Sequence, residues 1–140
     1  MIVLDTDHVS LLEWDLDGSA PLRERLADRA SDEVFTTIVS YEESMRGWMA
    51  YIARAKTVSQ QVQGYERLRR HLENYRQIPM LDFDEGAGTE FQRLRRVRIR
   101  IGTMDLKIAA ITLANGATLL SRNRIDFEKV PGLTVEDWTV

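Results

Sequence analysis

At 140 residues the chain is about one domain long, and its 44% apolar and 29% charged content is that of a soluble globular protein, which excludes an intrinsically disordered chain and a multi-domain machine. The absence of cysteine excludes disulfide frameworks, thiolate nucleophiles and thiolate zinc sites, and with only two histidines a metal would have to be held by oxygen. The net charge of −3 divides unevenly, −8 over residues 1–45, +6 over 46–100 and −1 over 101–140, so acids collect near one end beside a basic middle suited to a polyanion.

The first residues carry no basic leader or small-residue cleavage site, and no stretch reaches the ~18 apolar residues of a membrane span, so a cytoplasmic protein is expected. Ile2-Val3-Leu4 running into Asp5-Thr6-Asp7-His8 reads as a buried parallel strand over 2–5 that meets a polar turn, with Asp7 as the N-cap of the first helix. A helix over 21–30 and a strand over 34–39 follow, and Ser40 opens the next helix. Helices over 41–56 and 60–77 form a hairpin, the second carrying Val62, Tyr65, Leu68, Leu72 and Tyr75 at spacings of three and four. Residues 79–83 read as a third strand, and Asp84 caps a helix bearing Phe91, Leu94 and Val97. Residues 95–101 carry both helical and strand periodicity. A helix over 103–113 ends at Asn115-Gly116; a fourth strand over 117–120, a helical turn over 124–129 and a last strand over 133–135 complete the chain. Alternating strands and helices imply an α/β fold, a parallel sheet covered on both faces, in one domain over 1–140.

In such a sheet the strand-to-helix junctions share one edge, outside the carboxyl ends of the strands. Asp5 ends the first strand, Glu43 lies in the helix after the second, Asp105 opens the helix after Gly102-Thr103, and Asn123 and Asp126 follow the fourth strand. Carboxylates gathered there repel unless protons or cations intervene, and the matching cation is hard and divalent, magnesium or manganese. Each has an alternative role at a helix start: Ser40 with Glu43 and Asn123 with Asp126 have capping-box spacing, and Asp105 suits a helix dipole behind a Thr103 cap. Capping leaves Asp5, directly after buried apolar residues, unexplained. Glu42, four residues before Arg46, suits an exposed ion pair. His8 and His71 are expected to be structural or exposed.

The segments Ile2-Val3-Leu4-Asp5-Thr6-Asp7, Ser40-Tyr41-Glu42-Glu43 with Gly47, Ile101-Gly102-Thr103-Met104-Asp105-Leu106-Lys107-Ile108-Ala109-Ala110, and Leu120-Ser121-Arg122-Asn123-Arg124-Ile125-Asp126-Phe127 through Val130-Pro131-Gly132-Leu133 to Glu136-Asp137-Trp138 resemble the successive motifs of PIN-domain proteins. The similarity is strongest to the VapC-like toxins of bacterial toxin–antitoxin modules. It implies a three-layer α/β/α sandwich with a mostly parallel sheet of four to five strands. It also implies a magnesium-dependent (or manganese-dependent) endoribonuclease, dimeric and silenced by a VapB-like antitoxin whose arginine would reach the acids. Asp5, Glu43 and Asp105 would be the metal-binding carboxylates, with Asn123 or Asp126 as the fourth site residue. A neutral amide at Asn123 would weaken a second metal position.

Thr6 and Ser121 could offer hydroxyls at such a site, and Arg122 and Arg124 flank it. Arg93, Arg95, Arg96, Arg98 and Arg100 form the candidate RNA track, while Trp48 and Tyr51 are expected to pack in the core or a dimer contact, with base stacking as the alternative. Two other readings compete. Asp5-Thr6-Asp7 after an apolar strand also resembles a haloacid-dehalogenase-like phosphatase, although Lys107 falls inside a helix and no Asp-Asp pair occurs near residue 120. The other is a non-catalytic RNA-binding or interaction module.

Overall fold

The apolar run Ile2–Leu4 is strand β1 at the centre of a five-stranded sheet in the computed structural model, which describes residues 1–140. The chain continues as α1 (Thr6–Trp14), α2 (Ser19–Ala27), a single 3-10 turn, β2 (Val34–Thr37), α3 (Ile38–Arg54), α4 (Val58–Arg76) and β3 (Met80–Leu81). Then come α5 (Glu85–Arg96), α6 (Thr103–Ala114), β4 (Thr118–Leu120), α7 (Arg124–Phe127) and β5 (Thr134–Glu136). Strand order is β3-β2-β1-β4-β5, and every pair is parallel.

The two-residue period of β1 sorts its side chains between two cores. Val3, with Leu119 of β4, joins the cluster built from Ala87 and Leu94 of α5 and Ile108, Ala109 and Ile111 of α6. Ile2 and Leu4, with Leu120, join Val9 of α1, Leu22 of α2, Tyr75 of α4 and Trp138. The architecture is therefore the expected three layers, with the sheet wholly parallel. Helix α6 is buried almost all round, which Ala109 and Ala110 permit by presenting little side-chain bulk. No helix is long and apolar enough to cross a membrane.

Several boundaries differ from the sequence reading, each for a local reason. The first strand stops at Leu4 because Asp5, not Asp7, is the N-cap of α1, accepting the Thr6 N–H at 2.8 Å. The second strand stops at Thr37, whose hydroxyl caps α3 by accepting the Ser40 N–H at 3.0 Å. Ser40 therefore lies inside the helix, and the capping box expected of Ser40 and Glu43 does not form. Gly102, without a side chain, occupies the cap position of α6, so Thr103 is not its cap. Asp84 does cap α5, accepting the Ala87 N–H at 2.9 Å. Beyond α5 the strand-like alternation of 97–101 is defeated by Arg98, whose φ of 57° is left-handed and incompatible with a strand.

The hairpin of α3 and α4 closes on Gly64. A methyl group there would lie 2.6 Å from Ile52 Cγ1 and 3.1 Å from Tyr51 Cδ1, whereas one on Gly47 of α3 would meet nothing within 4 Å. Both glycines are helical, so alanine gains about 1 kcal/mol of propensity at either, but at Gly64 overpacking costs about 1–3 kcal/mol. Gly47→Ala should raise the thermal midpoint and Gly64→Ala should lower it; a Gly64→Ala variant more stable than wild type in thermal or urea melts would contradict this close approach.

Candidate active site

Asp5 is 5% exposed at the point where β1 gives way to α1. Its backbone N–H continues the sheet ladder to Leu120 O at 2.9 Å, which brings the exit of β4 alongside. Its Oδ1 accepts the Thr6 N–H, and its Oδ2 accepts the Ser121 hydroxyl at 2.7 Å. That hydroxyl oxygen in turn accepts the Asn123 N–H at 3.0 Å, so the turn after β4 folds around Ser121. Residues 116 apart in sequence thus meet because two parallel strands pair in register.

Asp7 is not the cap that its place in the sequence suggests, and this correction has consequences. With the helix starting two residues earlier, Asp7 lies in the first turn of α1 and faces the β4 exit, where its Oδ2 accepts the Arg122 N–H at 2.9 Å and lies 3.4 Å from Ser121 Oγ. Capping, which in the sequence reading left Asp5 unexplained, is what its Oδ1 does at the start of α1. Across the edge, Asn123 donates from Nδ2 to Asp126 Oδ2 at 3.1 Å and to Asp105 Oδ2 at 3.4 Å. Asn123 precedes α7 without capping it through its side chain, so its role is to bridge two carboxylates.

The acids act on one another through space. Burial, then the charge of Asp7, pushes the Asp5 carboxyl from 3.8 to about 7, against the hydrogen bonds from Ser121 and Thr6, and Asp105 adds to the rise. Burial also raises Asp105, followed by the charges of Glu43, Asp126 and Asp7, against the Asn123 amide. Asp126 is instead lowered by Asn123 and by Lys129, 3.3 Å away. Beneath them the buried Tyr75 hydroxyl, 3.3 Å from Ser44 Oγ, is pushed above the ordinary phenol range by burial, with the charges of Glu13, Asp5 and Glu43 adding. Tyr75, visible in the sequence only as part of an apolar stripe, is a neutral neighbour of the site.

As donors, these residues suit a hard divalent cation: they are carboxylate oxygens with mutual repulsion to relieve. In spacing they do not form a closed cage, since no group of three acids or histidines stands ready to hold an ion together. The remaining candidates are placed as follows. The Thr6 hydroxyl is buried and without a partner. Arg122 is exposed, and Arg124 is bound to Glu128 at 2.7 Å. Glu42 pairs with Arg46 at 2.7 Å, as its spacing predicts. Trp48 and Tyr51 are not free platforms: Trp48 packs 6.0 Å from Trp14 and 5.9 Å from Tyr51, and Arg67 lies over both tryptophans. The phosphatase reading loses its parts, because Asp7 is anchored to the Arg122 N–H and Lys107 lies against Phe83 and Phe91.

A pH dependence follows in metal-free protein. Because the folded carboxyl of Asp5 holds its proton up to about 7 while the unfolded one releases it near 3.8, the native state binds more protons between those values, and stability falls as pH rises through that window. The loss amounts to at most about 4 kcal/mol. Asp5→Asn should flatten the decline in chemical-denaturation curves taken in chelator from pH 4 to 8, and an unchanged slope would refute the raised proton affinity. By the same repulsion, Asp105→Asn should leave the metal-free protein at least as stable as wild type at pH 8.

Comparison with known proteins places this geometry in a family. A relative named tRNA(fMet)-specific endonuclease VapC, from Shigella flexneri, is 33% identical over 66 residues, covering 44% of this chain and 50% of that protein, so the match spans half of the relative's length. The DNA-bound VapBC structure from Salmonella typhimurium aligns with a TM-score of 0.75 at 22% identity, over 98% of this chain and 97% of the other. VapBC-1 from nontypeable Haemophilus influenzae aligns with a TM-score of 0.74 at 21% identity over 100% of both chains. VapBC-5 from Mycobacterium tuberculosis, a member of the VapBC family of toxin-antitoxin systems, aligns with a TM-score of 0.58 at 26% identity over 96% and 94%. The family model described as the PIN domain matches residues 2–133, from β1 to the residue before β5, and the chain belongs to the PIN domain family.

Proposed function

We propose that this PIN domain is a metal-dependent endoribonuclease and the toxin of a toxin–antitoxin pair, acting in the cytoplasm as a homodimer. The observation that carries the reading is the set of acids, Asp5, Asp7, Glu43, Asp105 and Asp126, acting on one another at the carboxyl edge of a parallel sheet. The activity named for the Shigella relative and the toxin–antitoxin system named for the Mycobacterium neighbour support it. Asp5, Glu43 and Asp105 would hold the divalent ion, magnesium or manganese. When bound, that ion supplies positive charge to the phosphodiester and acidity to water.

The chain's own groups do the rest. Ser121 and the Thr6 N–H orient Asp5. Asn123 keeps Asp105 and Asp126 together with an uncharged amide, doing part of what a second cation would do between them. The unpartnered Thr6 hydroxyl is buried, out of a substrate's reach in this conformation. Arg122, exposed at the β4 exit, is better placed for phosphate than Arg124, whose guanidinium is engaged by Glu128. Of the basic run, Arg93 is taken by Glu90 at 2.8 Å, while Arg95, Arg96, Arg98 and Arg100 are exposed on the approach to the helix that begins just before Asp105. A VapB-like antitoxin would silence the site by directing an arginine at the same acids, a charge-assisted pairing that acidic side chains favour.

Purified protein free of antitoxin should cut cellular RNA with magnesium and not with excess chelator, and Asp5→Asn or Asp105→Asn should reduce cutting by about 100-fold or more. Cutting that persists in chelator, or in both variants, would overturn the reading; no cutting by folded wild type would favour the binding-module alternative. Replacing Arg95 and Arg96 together by alanine should weaken RNA binding and make it less salt-sensitive, the log–log slope on single strands falling by about 0.7 for each phosphate that is no longer neutralised. A filter-binding titration across salt concentrations with an unaltered slope would remove these arginines from the RNA path.

A further inference from the structure

His8 is fully buried in the first turn of α1, and both of its ring nitrogens are occupied. Nδ1 lies 2.7 Å from Asp7 Oδ1, and Nε2 lies 3.3 Å from the backbone N of Trp138. A backbone N–H can only donate, so Nε2 must offer its lone pair and the proton must reside on Nδ1, where it is donated to Asp7. Asp137, the other carboxylate facing the ring, lies 3.9 Å from Nε2. From Asp7 the connection continues through Oδ2 to the Arg122 N–H and alongside Ser121, whose hydroxyl is on Asp5.

Trp138 is itself held in place. It is 3% exposed, with the guanidinium of Arg25 4.4 Å from its ring centroid and that of Arg29 5.4 Å. The neighbouring Thr139 is bound to Asp137 through its N–H at 2.8 Å and its hydroxyl at 2.6 Å. The segment after β5 thus presents one backbone N–H to the imidazole from a rigid mount.

We propose that His8 is a positioning residue: locked as the Nδ1–H tautomer by the Trp138 backbone, it holds Asp7 on the turn after β4 and so fixes the Ser121 hydroxyl on Asp5. Nothing in this role requires His8 to touch substrate or change charge. The proposal deepens the nuclease reading and rests on it for its effect on rate, but the tautomer and the anchored turn can be read without any activity. Asparagine is the informative substitution, because its side-chain N–H₂ reaches the place of Nδ1–H and can still donate to Asp7, whereas leucine fills space and donates nothing.

Two measurements test it together. Nitrogen-15 spectra of wild type should show a protonated Nδ1 and a bare Nε2 on His8 at neutral pH, and the Arg122 amide should move upfield in His8→Leu but stay near its wild-type position in His8→Asn. In RNA cleavage, His8→Leu should lose about tenfold or more in kcat with little change in KM, and His8→Asn should restore most of that rate although both variants lose the bond to Trp138. The opposite tautomer, or Arg122 shifts and rates that fall equally in the two variants, would overturn the proposal. If wild type cuts no RNA, the nuclease reading fails, and the tautomer and the Arg122 amide still decide this one.

Discussion

Asp5 follows the central strand at 5% exposure, where an ionised carboxylate without partners would be severely destabilising. The surrounding backbone answers with donors from two directions: the N–H that opens α1, and a serine delivered by the neighbouring strand. Both depend on register. A slip of one residue between β1 and β4 would send Ser121 to the opposite face and leave the carboxylate facing hydrocarbon. The pairing of Leu4 with Leu120 is therefore a condition on the site as much as on the sheet.

Those donors offset only part of the cost. Burial and the like charges of Asp7 and Asp105 still outweigh them, so the native state carries unresolved repulsion at its mouth. Protons, an uncharged amide or a cation would each relieve it, and Asn123 is the relief built into the chain. Proteins commonly surrender some stability at the place where they bind. Here the surrender is localised at one edge, while the two apolar cores on either side of the sheet are conventionally packed.

The alternation of apolar strands and amphipathic helices made the fold class legible from sequence, because burial on both faces leaves continuous apolar runs such as Ile2–Leu4. That Asp5, Asn123 and Asp126 share an edge was legible by topology, since strand ends do so in any parallel sheet; Asp105 reaches that edge from α6, which follows a helix and no strand. What could not be read was which of two nearby polar residues caps a helix. Asp7 and Ser40 read as the caps, yet Asp5 and Thr37 have equally suitable side chains, and only tertiary pairing decides such near-equal choices. That small ambiguity hid the role of Asp7. The linkage of His8 to Trp138 lay further out of reach, being a contact between side chain and backbone across 130 residues with no periodic signature. Trp48 and Tyr51, which the sequence leaves open between packing and base stacking, pack against one another and Trp14.

The central strand also carries a temporal consequence. Asp5 and His8 leave the ribosome long before Ser121 and Trp138, at separations of 116 and 130 residues. A nascent chain long enough to have formed the α3–α4 hairpin still lacks β4 and β5, so Asp5 is without Ser121 and one side of β1 stands without a neighbour. Contacts this distant in sequence close slowly, because the loop entropy is spent before the contact repays it. The order of synthesis thus keeps the acidic edge incomplete until β4 and the turn after it have been made.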